Sequence, residues 1–145
     1  MKTKFAKRLQ ELRTTYGLSA NKLASLLGFK WASSVANIEK EKTMITTDTL
    51  IALSHLFGIS IDWILGFSEI QYNEPLITSI EDELKTKPFI KNNTELLILL
   101  SSNENRTLEQ RSHIIFKLQY LELEFNEKKE KLDQLIIINL SKLQE

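Results

Sequence analysis

The sequence predicts an all-α protein. Apolar residues recur at helical spacing through most of the 145 residues, and polar caps or glycines mark the breaks. A run from Thr107 toward Leu143 contains neither Gly nor Pro and would extend roughly 57 Å as one helix at 1.5 Å per residue. The third observation is the stretch Gly17 to Glu39, GLSANKLASLLGFKWASSVANIE, which reads as two short helices joined by a sharp turn.

In that stretch Ser19 is placed to cap a helix whose inward residues are Leu23, Ala24 and Leu27. Gly28 then offers a left-handed C-cap, and Phe29 beside it folds back onto the core. Ser33 or Ser34 caps the second helix, which turns Val35 and Ile38 inward and leaves Ser33, Ser34, Asn37 and Lys40 on the outer face. Such a small, polar face enters a major groove about 12 Å wide without a carboxylate penalty, and the Asn37 amide matches the N7 and N6 atoms of adenine. DNA is therefore the expected partner. Trp31 and Ala32 in the turn join Ser33, Ser34 and Asn37 as base-reading candidates, although the Trp31 indole could equally plug the core. Ser19, Asn21, Lys22, Lys30, Lys40, Lys42 and Thr43 are the candidates for phosphate contacts.

Downstream, Thr47 or Asp48 starts a helix through Leu50, Ile51, Leu53, Leu56 and Phe57 that Gly58 ends. Ser60 or Asp62 opens a shorter one through Trp63, Ile64 and Leu65, closed by Gly66. Four segments in order, FAKRLQELRTTYGLS, LASLLGF, VANIEKEK and LIALSHLFGISIDWILG, cover roughly residues 5–67. Together they resemble the lambda-repressor-like helix-turn-helix domains of the Cro or xenobiotic-response-element type. The resemblance implies a five-helix DNA-binding domain over residues 1–68 and a structural ion pair between Arg13 and Glu39. It also implies a transcriptional regulator of a phage, mobile-element or chromosomal promoter. The chain departs from the pattern in three places. Ala20 replaces a common Gln at the start of the second helix, the turn before Val35 is one residue longer, and Glu41 stands where a glycine commonly follows the recognition helix.

Residues 69–92 read as a linker with one short helix around Ile80 to Leu84, interrupted by Pro75 and Pro88. Residues 93–145 read as a helical dimerisation or interaction region. An apolar run from Glu95 to Leu100 precedes the polar SSNENRT and the long helix. On that helix Ile114, Leu118, Leu121, Phe125, Leu132 and Leu135 alternate four and three apart, with Lys128, Asn139 and Lys142 as polar members of the same heptad seam. The expectation is a homodimer or a higher oligomer, in which two recognition helices read an inverted repeat. The same stripe turned inward would give a monomeric hairpin. It also suits an alternative function, an antitoxin or antirepressor-binding module that clasps a protein partner.

Charge fits the DNA reading. Residues 1–68 hold nine Lys and Arg against five Asp and Glu, and residues 69–145 hold ten against fourteen. The basic front attracts phosphate and the acidic back stands away from it. With no cysteine, disulfides, thiolate zinc sites and cysteine nucleophiles are excluded, which suits a cytoplasmic protein. His55 and His113 have no ligand-spaced partner, and no glycine-rich phosphate loop occurs. No cofactor, metal or enzymatic activity is expected, nor any segment that spans or enters a membrane.

Overall fold

Helix boundaries in this chain are set largely by side-chain caps. The computed structural model describes residues 2–144, in which nine α-helices follow one another: α1 (Lys4–Thr15), α2 (Ala20–Leu26), α3 (Ser34–Glu39), α4 (Thr47–Phe57), α5 (Ile61–Leu65), α6 (Glu74–Lys85), α7 (Pro88–Lys91), α8 (Thr94–Ser101) and α9 (Leu108–Lys142). Thr3, Ser19, Thr46, Ser60, Asn73, Asn93 and Thr107 each accept a hydrogen bond from a backbone N–H of the first turn they precede. Each such cap stabilises its helix by about 1 kcal/mol. At Thr107 the cap is reciprocal, because the Gln110 side chain accepts from the Thr107 N–H at 2.9 Å.

The start of α4 differs from expectation. Thr46, in extended backbone, takes the cap that Thr47 or Asp48 was expected to fill, and Asp48 instead places its carboxylate in the positive first turn. Gly58 closes α4 with φ +65, and a Cβ there would meet Ile77 Cγ1 of α6 at 2.4 Å. The position requires glycine for its dihedral and for the close approach of α6.

Two apolar clusters form the interior. The first gathers Leu9, Leu12, Tyr16, Leu23, Val35, Ile38, Leu53, Phe57 and Ile64 from α1 to α5, and it includes Phe116 of α9. Tyr16, Phe57 and Phe116 form an aromatic knot: the Tyr16 and Phe57 ring centroids are 4.6 Å apart, and Phe57 stacks on Phe116 at 5.2 Å. Beneath it the buried Ser112 hydroxyl donates to the Phe57 carbonyl and meets the Tyr16 hydroxyl. Burial pushes the Tyr16 hydroxyl pKa well above its ordinary value. The second cluster is built from Ile77, Ile80, Leu84, Ile90, Leu100, Ile115 and Leu118 of α6 to α9. One turn of α9 thus serves both clusters, with Ile115 facing one and Phe116 the other.

Two sequence expectations are corrected here. The segment read as a linker is a structural element. Ser60 N donates to Gln71 O at 2.8 Å and Asn73 N to Gly58 O at 2.9 Å, which ties residues 71–73 to the α4–α5 turn. The short helix then becomes the twelve-residue α6, buried along Ile77, Ile80 and Leu84 against α9. Pro75 does not interrupt it, since it sits in the first turn, where no N–H is needed. The second correction concerns the seam. Leu118 is 5% exposed and Ile114 packs against the second cluster, so both are spent inside the monomer rather than on a partner chain.

Polar burial is confined to paired groups. Glu81 and Arg111 are both buried and form a bidentate pair, Arg111 Nε to Glu81 Oε2 at 3.1 Å and Nη2 to Oε1 at 2.6 Å. Thr78 accepts a further bond at 3.1 Å, and Glu74 lies 3.6 Å away. Hydrogen bonding to Glu81 raises the Arg111 pKa, so the guanidinium stays charged.

Phe116→Ala removes the ring that joins α9 to the first cluster. The expected cost is about 3–5 kcal/mol, read as a lower midpoint in urea unfolding followed by circular dichroism. Although Phe116 lies far outside residues 1–68, the near-ultraviolet signal of the N-terminal aromatics should fall with it. Wild-type stability would refute the shared core.

Candidate nucleic-acid interface

The geometry of α3 follows from its few inward residues. Val35, Ile38 and Glu39 are buried, and at 100° per residue the opposite face carries Ser33, Asn37 and Lys40. Ser33 is the N-cap residue but makes no side-chain cap bond, so its hydroxyl is left for other partners. Ser33 and Lys40 are exposed and Asn37 half-buried; Ser34 is also half-buried, on the flank toward the turn.

The turn before α3 is held from both sides. Gly28 adopts φ +78 and Phe29 N donates to Ala24 O at 2.9 Å, which swings the Phe29 ring onto the first cluster as expected. Ser34 N donates to Trp31 O at 3.2 Å, which closes the extra length of the turn. Of the two places open to Trp31, the structure takes the outer one. The indole is 66% exposed, and Lys30 Nζ lies 5.2 Å from its ring centroid. Ala32, Lys30, Lys42 and Thr43 are exposed around the same end of the domain.

The Arg13–Glu39 pair anchors α3 to α1. Arg13 Nε lies 3.2 and 3.1 Å from the two Glu39 oxygens, and Nη2 lies 3.0 Å from Oε1. A third guanidinium nitrogen donates to Leu18 O at 3.0 Å, so Arg13 also fixes the start of the two-helix unit. Glu39 is 4% exposed, and the pair orients α3 while its own charges face inward.

After α3 the chain bends at Glu41, which takes φ 61 without being glycine. Lys42 N donates to Asn37 O at 2.9 Å, capping the helix across the bend. The Glu41 carboxylate accepts from Thr3 N at 2.6 Å, and this bond holds its pKa below the usual carboxylate range. The acid that interrupts the KEK lysines is thus turned toward the N-terminus of α1. Sequence reasoning did not identify Thr3 as part of this end of the domain, because the contact spans 38 positions and carries no local signal.

The phosphate candidates on α2 divide. Ser19 caps α2 through its oxygen at 3.0 Å from Lys22 N and keeps its proton to donate, and Asn21 is exposed. Lys22 is drawn elsewhere, with Nζ 4.8 Å from the Tyr120 ring centroid and 3.9 Å from Glu124 of α9. Lys22, one of the phosphate candidates, is thus half-buried and turned toward α9. Nothing in residues 17–40 signals the interaction, which comes from α9 passing beside α2.

Residues 6–66 match the family described as a helix-turn-helix domain. The N-terminal region is a helix-turn-helix domain. Over 65 residues the chain is 32% identical to YobD of Bacillus subtilis (strain 168), itself named as an uncharacterized HTH-type transcriptional regulator. That alignment covers 45% of this chain and 57% of the relative, so the chain spans little more than half of the protein it matches. No solved structure matches the chain significantly. The matched segment contains the Arg13–Glu39 pair and the outward face of α3, but ends before α6 to α9. Among the described residues no group of His, Cys, Asp and Glu is placed to hold a metal ion, and no helix is long and apolar enough to cross a membrane.

Glu39→Ala leaves the half-buried Arg13 guanidinium without its carboxylate, with the Leu18 carbonyl as its remaining partner. The expected loss is about 1.5–3 kcal/mol of stability, measured by denaturant unfolding. Equal stability would show that the pair does not hold α3 in place.

Proposed function

We propose that this protein is a sequence-specific DNA-binding regulator of transcription, acting as a cytoplasmic repressor of a phage, mobile-element or chromosomal promoter. The observation that carries the reading is the outward face of α3. Ser33 and Asn37 are aimed away from a rigid anchor, Lys30, Lys40 and Lys42 flank them, and Trp31 stands beside them. Asn37 reads a base through its amide, Ser33, Ser34 and Ala32 fit against neighbouring base edges, and Trp31 lies over sugar or a thymine methyl group. Lys30, Lys40 and Lys42, with Ser19, Asn21 and Thr43, hold the phosphates and set the register.

A single six-residue helix reads only a few base pairs. The distal part of α9 supports a dimer that doubles the site. Leu121, Phe125, Leu132 and Leu135 are between 43% and 58% exposed and remain on the seam after Ile114 and Leu118 are taken up by the monomer core. A parallel pair of α9 helices would bring both helix-turn-helix domains to the same end, as an inverted repeat requires. An antiparallel pair would separate them along the coil.

Selection of duplexes from a random library at near-physiological salt should enrich an inverted repeat. Asn37→Ala should weaken binding by about 1–3 kcal/mol and relax one position in each half-site. Leu121→Glu combined with Phe125→Glu should leave the fold intact and abolish preference for the paired half-sites. Enrichment of no sequence, with binding that only follows salt, would refute the regulator reading.

A further inference from the structure

Beyond Tyr120 the character of α9 changes twice. Up to Glu124 the helix still touches its own chain, through Lys87 to Glu122 at 3.9 Å and Lys22 to Glu124 at 3.9 Å. From Phe125 to Gln144 every residue is exposed. Over residues 121–131 the seam is narrow: Leu121 and Phe125 lie on it, and the flanking heptad positions hold Glu122, Glu124, Lys129 and Lys131. From Leu132 onward the same flanks hold Ile136, Ile138 and Leu143, and Leu140 extends the stripe further round. At 100° per residue the apolar arc over 132–143 spans about 200°, against the roughly 100° stripe that one facing helix covers.

We infer that residues 132–143 join two dimers into a tetramer, each distal helix lying against two neighbours in a bundle of four copies of this chain. The inference rests on the dimeric reading above. Three features point to further copies as the occupant. First, the narrow and broad segments lie on one continuous seam, so a neighbour aligned by the first is delivered to the second. Second, the charges flanking the narrow part are self-complementary in a parallel pair: Glu124 and Lys129 are five residues apart, the spacing at which a flank of one helix meets the opposite flank of its mate. Third, the apolar surface is large enough. Six residues (Leu132, Leu135, Ile136, Ile138, Leu140 and Leu143) are between 46% and 80% exposed. Together they offer on the order of 600 Å² of apolar area per chain, most of the roughly 800 Å² per partner of a standard stable interface.

Two chains alone leave this band open. A two-stranded pairing covers the seam and leaves Ile136, Ile138 and Leu140 in contact with water. Four chains enclose those residues, and Asn139 at a seam position holds the helices in one register. The assembly would carry two DNA-reading pairs, so that one protein could occupy two operators together, with the second contact made at high effective concentration.

The test is the mass of the full chain by sedimentation equilibrium at tens of micromolar. The expected result is four times the 16.8 kDa chain. Ile136→Glu combined with Leu140→Glu alters only exposed residues outside the core. It should reduce the mass to that of two chains, keep the helical signal, and preserve binding to one inverted repeat. The same variant should lose cooperative binding to a duplex carrying two such repeats. A wild-type mass of two chains would overturn the tetramer and leave the dimeric regulator standing. A wild-type mass of one chain would overturn both. A variant that remains a tetramer would overturn the assignment of the band.

Discussion

Everything in this chain is hung on the packing of Phe116 against Tyr16 and Phe57. Without it, α1 to α5 would present an open apolar face, and α9 would have no fixed direction relative to α3. The contact is reinforced by polar bonds that a slip of the helix would break. Ser112 reaches the Phe57 carbonyl and the Tyr16 hydroxyl, and His113 stacks on Tyr16 with ring centroids 4.1 Å apart. On the next turn Gln119 donates to Leu56 O at 3.2 Å and meets His55 Nδ1 at 3.1 Å. These bonds satisfy the carbonyls at the end of α4, which would otherwise be buried without partners. The N-terminal third of α9 thus supplies part of the core and part of the capping of the helix-turn-helix domain.

This explains which parts of the molecule were legible in the sequence. The five N-terminal helices were readable because their signals are local: Ser19, Gly28, Ser60 and Gly66 each act within a few residues, and the apolar spacing between them is unambiguous. The Arg13–Glu39 pair was readable only through the family resemblance, since nothing in the spacing of two residues 26 apart implies a contact. Residues 69–92 were misread because Pro75 and Pro88 look like breakers. Both in fact occupy first turns, where proline is compatible with a helix. The heptad on α9 was read as a seam for a partner chain, and the structure takes its first part into the monomer. A seam records which side of a helix is apolar and leaves open whether the chain itself or another copy covers it, so Leu118 and Phe125 look alike in sequence while one is buried and the other exposed.

The same distinction applies to the candidate site. Ser33, Asn37 and Lys40 were identifiable because α3 is short and only Val35, Ile38 and Glu39 turn inward. The position of Trp31 was not, because an indole in a turn satisfies the core or the surface equally well. Here the choice follows from Phe29, which already fills the place beneath the turn and leaves the outer side for Trp31. Lys22 is the opposite case. Its surroundings come from Tyr120 and Glu124, almost a hundred residues away, and no local pattern could have revealed them.

The unbroken course of α9 has a mechanical consequence for the proposed regulator. A flexible tether between a DNA-reading unit and an oligomerising unit would let two heads search a range of half-site spacings, at an entropic cost on each binding event. Here the helix that ends in the exposed apolar band is the helix that carries Phe116, with no Gly or Pro between them. Pairing of the distal segments would therefore fix the orientation of each head through a rigid rod. The spacing between two α3 helices would be set by the thickness of the packed heads rather than by a linker.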